Sequence, residues 1–343
     1  MLRSLVGSEM CIRDRIRTEF LNYFKSKNHD VIKSASLIPH DNTLLFTAAG
    51  MVPLKDYFSG NKVPDNPNMA SSQKCIRTID IDIIGDTDRH LSFFEMLGNF
   101  SVGKYFKKEA IRYSYEFITE VLLINPERLW FTVYKDDKES FDIWRNEIGI
   151  PEERIQYGDK DNFWHMNIPG PCGPCSEIFI DRGSKYGPDG GPIGGGEDRF
   201  VEIWNLVFME SIQDKPFEVV GTLPSKNIDT GMGLERIAQI LQNKRNNYET
   251  DLIYPIIERA SNIAGIDYFS SSEKVKISLK ILGDHTRAVI HLISDGVIAS
   301  NLGRGYILRR LIRRMVRHGR LLGIKDKFLA DLAKVAVQLM KNT

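Results

Sequence analysis

Two stretches of the chain concentrate side chains able to handle charge, and a third concentrates thiols. From Ser71 to Lys107 the sequence reads SSQKCIRTIDIDIIGDTDRHLSFFEMLGNFSVGKYFK, with Arg77, then Asp80, Asp82, Asp86 and Asp88, then Arg89 and His90. From Asp229 to Leu241 it reads DTGMGLERIAQIL, which sets Asp229, Gly233 and Arg236 close together. An arginine fork can hold anionic oxygens at two points, and its charge persists at any working pH. The third stretch, PGPCGPCSEI, carries Cys172 and Cys175. That spacing is open to zinc binding, to dithiol redox chemistry, or to a rigid loop with no thiol chemistry.

The surrounding patterns indicate what must position these groups. The first stretch reads as a strand ending in Arg77, a polar loop, and a returning strand that begins near Arg89 and His90 and runs through Phe93 and Phe94. The second reads as a Gly-x-Gly turn opening a buried helix. Other extended segments, such as RLWFTVYK, CSEIFIDR, FVEIWNLVFMES and FEVVGTLP, follow one another without regular βαβ alternation. The expected class is therefore α+β, a largely antiparallel sheet flanked by helices. The glycine-rich run from Arg182 to Arg199 lacks a Gly-Lys-Ser/Thr or G-x-G-x-x-G pattern and reads as a surface loop. Beyond about Asn243 the patterns are helical. In GYILRRLIRRMVRHG the apolar Ile307, Leu308, Leu311, Ile312, Met315 and Val316 alternate in pairs with Arg309, Arg310, Arg313, Arg314 and Arg317. One face of that helix should pack and the other form a basic ridge suited to a phosphate backbone.

Bulk properties narrow the class. The 343 residues carry 46 Lys and Arg against 45 Asp and Glu, so nucleic-acid affinity has to come from such local clusters. Four cysteines are too few for a secreted disulfide framework, and no apolar run is long enough to span a bilayer; a cytoplasmic setting and no membrane partner are expected. The opening MLRSLVGSEMCIRDR has no period, and residues 1–14 read as a non-native or disordered leader. Residues 15–245 read as a catalytic unit and 246–343 as a helical region.

Taken together, LIPHDNTLLFTAAGM, RHLSFFEMLGNFSVGKYF, PGPCGPCSEI, EIWNLVFM, DTGMGLERI and RGYILRRLIRRMVRHG, in this order, resemble the alanyl-tRNA synthetases among the class II aminoacyl-tRNA synthetases. The resemblance covers nearly everything from Ile16 onward. It implies activation of L-alanine with ATP to alanyl-adenylate, followed by transfer to the 3′ end of tRNA(Ala). By the same resemblance Arg77 is the arginine of the second class motif and Arg236 that of the third, both catalytic and ATP-binding. Arg89, His90, Glu177 and Gly233 complete the ATP contacts. Asp229 takes the ammonium of alanine with Asn205 as its hydrogen-bonding neighbour, and Met96 and Trp164, ordinary core residues on another reading, close the methyl pocket. Mg2+ is implied alongside ATP, with its ligands unassigned.

For the helical region the resemblance implies acceptor-stem contacts by Asn301, Arg304, Arg309, Arg310, Arg313 and Arg314. The family's editing domain, with its zinc ligands, is absent from this sequence, so no zinc is expected, and a monomer is expected. The thiol pair then reads as part of a stiff loop beside the active site. A competing expectation is a catalytically silent synthetase-like module that binds RNA through the arginine helix.

Overall fold

The structure, a computed structural model, describes residues 11–41, 43–166 and 168–340. The strands are β1 (Asp30–Val31), β2 (Asn68–Ile76), β3 (Phe93–Val102), β4 (Leu129–Tyr134), β5 (Ile155–Gly158), β6 (Phe163–His165), β7 (Gly170–Asp181), β8 (Phe200–Lys215) and β9 (Glu218–Gly233). The helices are α1 (Ile12–Ser26), α2 (Lys55–Phe58), α3 (Lys107–Glu116), α4 (Lys138–Asp142), α5 (Gly191–Gly194), α6 (Leu234–Leu241), α7 (Tyr254–Ala264), α8 (Glu273–Ser294), α9 (Gly303–Leu321) and α10 (Leu329–Leu339).

All the strands join one sheet in the order β1-β2-β3-β9-β8-β7-β4-β5, with β6 on β7. Pairing is antiparallel throughout its centre, and only β1–β2 and β4–β5 run parallel. The mixed, mainly antiparallel sheet with flanking helices is the α+β arrangement expected. Alternation along β8 explains how it forms. Trp204, Leu206 and Phe208 enter the main core, while Val207 and Met209 enter a second cluster with Met51, Leu54, Phe58 and Phe100. Both faces of the central strands are thus covered, which is why their sequences are nearly continuous in apolar residues.

Helix α1 lies on the main-core face. Ile16, Phe20 and Phe24 repeat at helical spacing and are buried, and Phe20 meets Trp204 with ring centroids 5.7 Å apart. The helix starts at Ile12, inside the stretch expected to be leader. Arg13 and Asp14 are buried, and Arg17 Nη1 donates to Asp14 Oδ1 at 2.9 Å, so polar pairing carries the helix back beyond its apolar repeat. Residues 1–10 of that leader lie outside the described residues.

A second difference concerns the thiols. The segment expected as a stiff loop is the first half of β7, with a register shift against β8 between Cys172 and Cys175. Gly173 is required there, because a Cβ would come within 2.0 Å of the Phe208 carbonyl oxygen. Close strand packing, rather than a turn, accounts for the glycine.

Candidate active site

Arg77 follows the last residue of β2, and its backbone N–H donates to the Ser92 carbonyl at 3.0 Å, extending the ladder by one rung. Its guanidinium lies over the Phe94 ring, 4.9 Å from the centroid, and Nε donates to the Ala48 carbonyl at 3.4 Å. The aromatic face fixes the plane of the fork without consuming all its donors. Arg236 stands in the first turn of α6, directly after β9. Its Nη1 donates to Glu202 Oε2 at 2.8 Å and to the Glu202 carbonyl at 3.1 Å, so β8 anchors its near end.

These two arginines line one cleft together with Arg89, His90, Met96, Gly233, Asp80 and Phe94. Six of the residues expected in the site from sequence are thereby brought to one place. Arg89 is engaged by Glu197, and Asn247 Nδ2 donates to the Arg89 carbonyl at 2.9 Å. His90 Nδ1 sits 2.9 Å from Thr87 Oγ1; burial, together with the charges of Arg89, Arg236 and Arg77, holds its pKa below the usual imidazole value. A neutral ring donates or accepts, so His90 adds a hydrogen bond here rather than a charge.

The other expected residues do not line that cleft and occupy adjoining positions on the same sheet. Asp229 on β9 pairs across from Val207, Asn205 on β8 pairs across from Gly231 and Glu177, and Trp164 on β6 pairs across from Gly173. Asp229 is 5% exposed, and its carboxylate has no hydrogen-bonding partner among the described residues. Burial alone raises its pKa to about 7. Asn205, expected to bond beside Asp229, gives its amide to Glu177 Oε1 at 3.4 Å instead, and its own Oδ1 is buried without a partner. Glu177 also receives hydrogen bonds from Thr132 Oγ1 at 3.2 Å and Asn162 Nδ2 at 3.4 Å. Burial and the charge of Glu202 push its pKa upward. Met96 lies against Gly50 and Gly231, where a Cβ on Gly231 would meet its sulfur at 2.8 Å. That contact packs the Met96 sulfur onto the Gly231 backbone at the wall of the cleft.

On α9 the packed face is formed by Ile307, Leu308, Leu311 and Met315, while Val316 is exposed rather than packed. The arginines opposite are less free than their sequence suggests. Arg304 donates to the Leu45 carbonyl at 2.6 Å and the Leu44 carbonyl at 3.0 Å, Arg309 to Asn301, and Arg310 Nη2 to Asp82 Oδ1 at 2.5 Å. Arg314 lies 3.7 Å from the same Asp82 oxygen. The acid loop after Arg77 therefore divides, with Asp80 at the cleft, Asp82 on α9, and Asp88 on Lys280 at 3.1 Å.

Cys172 and Cys175 are buried, and burial raises both thiols, Cys172 to about 11, which disfavours the thiolate needed for metal binding or redox exchange. Among the described residues no group of three His, Cys, Asp or Glu converges to hold a metal. His285 and His291, on one helix, are occupied separately: His285 bonds to Asp284, and His291 stacks on Phe93 with centroids 3.9 Å apart.

Sequence reasoning missed Phe94, Glu202 and Asn247 as supports of the arginines and of the loop. For Glu202 a signal exists, since an acid inside the apolar run FVEIWNLVF calls for a cationic partner. For Asn247, far along the chain, there is none.

Comparison with known proteins places this geometry. An alanine–tRNA ligase of Prochlorococcus marinus strain MIT 9515 is 57% identical over 331 residues, covering 96% of this chain and 37% of that protein. One from Synechococcus elongatus is 56% identical over 328 residues, with 95% and 37% covered. The chain thus spans little more than a third of the length of the curated relatives it matches. The solved apo histidyl-tRNA synthetase of S. aureus is 10% identical, with 81% of this chain and 86% of that one covered at a TM-score of 0.43. The sequence pattern of the family described as tRNA synthetases class II (A) matches residues 15–343, the whole of the sheet, the cleft and the helices behind it, and the chain belongs to that family.

Proposed function

We propose that the chain activates L-alanine with ATP to alanyl-adenylate, and that the protein transfers the alanyl group to the 3′ end of tRNA(Ala) in the cytoplasm. The observation that carries this reading is the cleft with Arg77 and Arg236 as fixed forks, next to a buried Asp229 carboxylate with no hydrogen-bonding partner among the described residues. Alanine supplies the missing partner. Its ammonium restores the charge on Asp229 and offers a further N–H to Asn205 Oδ1, and Met96 with Gly231 supplies a wall of the cleft for its methyl group. Trp164, on the neighbouring β6, closes the pocket from the β7 side.

In activation an oxygen of the alanine carboxylate attacks the α-phosphorus of ATP in line. The new P–O bond forms as the bond to the bridging oxygen breaks, and the electron pair leaves with pyrophosphate. Both reactants are anions, so fixed positive charge and placement matter more than proton transfer. Arg77 holds the α-phosphate against the alanine carboxylate. Arg236, backed by Glu202, stacks on the adenine and meets the γ-phosphate, with Arg89, His90 and the Gly233 backbone along the triphosphate. Magnesium, when bound, screens the triphosphate charge. Glu177 and Glu202 would hold the ion through their hard carboxylate oxygens, at a place where burial first and the charge of Glu202 second raise the Glu177 pKa.

The acceptor stem meets the exposed side of α9 through Asn301, Arg309, Arg310, Arg313 and Arg314, which share one cleft with Arg317. Arg304 contributes by holding the 44–45 loop against α9. No helix among the described residues is long and apolar enough to cross a membrane, and this reading takes the chain to act as a monomer.

The test is alanine-dependent exchange of labelled pyrophosphate into ATP by the purified chain. Exchange above background with alanine but not with bulkier amino acids is expected, and its loss in Arg77→Ala. A folded chain that binds acceptor-stem RNA yet never exchanges pyrophosphate identifies a silent RNA-binding module instead.

A further inference from the structure

Two adjacent polar side chains are buried in the middle of α8, outside the cleft: Asp284 is 1% exposed and His285 0%. Burying such groups is costly unless every hydrogen-bonding site is used, and a core of apolar side chains would be simpler. Here the bonds link α9 to Arg77 and converge on Asp284, which accepts from both sides. Arg314 Nε donates to His285 Nε2 at 3.0 Å, and His285 Nδ1 lies 2.8 Å from Asp284 Oδ2. Asp284 Oδ1 accepts the Ser92 N–H at 2.9 Å, and Oδ2 also accepts the Ser92 hydroxyl. The Ser92 carbonyl accepts the Arg77 N–H at 3.0 Å.

The chemistry of the chain leaves one protonation pattern. An arginine nitrogen can only donate, so His285 Nε2 accepts and the ring proton sits on Nδ1, where it donates to Asp284. Arg314 thereby selects the tautomer. Asp284, receiving three hydrogens, grips both the N–H and the hydroxyl of a single residue and so fixes the direction of the Ser92 carbonyl. Arg77 lies beyond the end of β2 and is followed by the irregular loop 78–91, so this carbonyl is the ladder bond that sets where its backbone points. The far end of the loop is held separately, by Tyr248 Oη on the His90 carbonyl at 2.7 Å.

We propose that Asp284 and His285 are positioning residues for Arg77, with Arg314 setting the His285 tautomer, so that a helix of the RNA-facing region holds the nucleotide-binding arginine in register. The inference rests on the reading of Arg77 given above. Asparagine at 285 places an amide N–H where Nδ1 stood and keeps the Asp284 bond. Glutamine places its polar atoms where Nε2 stood and meets Arg314 while losing Asp284.

The experiment compares His285→Gln and His285→Asn by pyrophosphate exchange and by amide hydrogen exchange at Arg77. His285→Gln is expected to lower kcat about 10-fold, with the KM for alanine unchanged, and to speed exchange of the Arg77 amide. His285→Asn is expected to restore both to near wild type. Ser92→Ala, which removes one of the three bonds and little volume, should give the same amide signature in smaller measure even if His285→Gln folds poorly. Equal losses in the Gln and Asn variants, or an Arg77 amide as protected in Gln and Ala variants as in wild type, would overturn the proposal. A wild-type chain without exchange activity would instead fail the alanine-activation reading, and the Arg77 amide would still decide the positioning role.

Discussion

The two sets of arginines in this molecule are held in opposite ways. In the cleft, Arg77 and Arg236 are gripped on one side, by Phe94 and Glu202, and keep the other side open towards a common space. On α9, Arg304 is spent on backbone carbonyls, Arg310 on Asp82, and Arg314 on His285 and Asp82, while Arg313 makes no such contact among the described residues. The first arrangement fixes a geometry for chemistry. The second makes a surface whose usable charge is well below its five consecutive-turn arginines, and an arriving phosphate must compete with an existing carboxylate. Arginine count and arginine availability are separate quantities.

The sharpest way to break the contrast is at Arg236. Arg236→Ala is expected to lower kcat/KM for ATP in pyrophosphate exchange by about 100-fold or more, the cost of one charge-assisted group on a transferring phosphate. Arg236→Lys should recover little, because a lysine cannot replace the planar fork held by Glu202. Loss of less than about threefold in the alanine variant would place Arg236 with the structural arginines of α9.

Asp229→Asn comes next. The KM for alanine is expected to rise about 30-fold, since the substrate ammonium loses a charge-assisted bond worth about 2 kcal/mol. The apo chain is expected to gain stability, because a buried carboxylate without a partner is removed. The pH dependence has a defined sign. With its folded pKa raised to about 7, above the ordinary aspartate value, the native state holds a proton that the unfolded chain releases. Stability from this group is therefore full at low pH and lost as pH rises through about 7, while alanine affinity strengthens over the same interval. Melting temperature and alanine KM measured from pH 5 to 8 should both fall as pH rises in wild type, stability weakening while affinity strengthens, and both should flatten in Asp229→Asn.

This contrast also explains what the sequence reveals. Arg77, Arg89, His90, Gly233 and Arg236 were legible because each sits in a short motif whose strand–loop–strand or turn–helix pattern is local. The extended segments that follow one another without regular βαβ alternation are likewise a pattern of neighbouring residues, so the α+β class follows from them. Asp82 on Arg310 and Asp284 on Ser92 join residues more than 190 positions apart, and no period or motif announces such a pair. The PGPCGPC run misleads for a related reason: proline and glycine suggest a loop, whereas the partner strand makes it part of β7 and the Phe208 carbonyl demands the glycine. Val316 fits the helical wheel, yet it is left exposed on α9. Where the partner is distant, propensity yields to tertiary contact.

Two smaller effects sharpen the α9 side. Arg313→Ala is expected to reduce the slope of log affinity against log salt for acceptor-stem RNA by about 1, whereas Arg304→Ala, whose guanidinium is occupied by Leu44 and Leu45, should leave the slope unchanged. Filter binding across a salt series separates the two. Equal slope changes would mean that Arg304 leaves its carbonyls to meet phosphate.

The smallest effect is expected at Asp82, and it bears most directly on the competition between carboxylate and phosphate. Asp82 is exposed, so its ion pairs with Arg310 and Arg314 are screened and contribute little to folding. Removing it nevertheless frees two arginines at once. Asp82→Ala is therefore expected to tighten acceptor-stem binding about threefold at low salt and to lose that advantage at high salt, with thermal stability unchanged. Because Asp82 belongs to the loop that begins at Arg77, the same variant also asks whether this surface pair or the buried Asp284 contact holds the loop. Pyrophosphate exchange within about twofold of wild type in Asp82→Ala assigns the holding to Asp284, and a larger fall assigns it to the ridge.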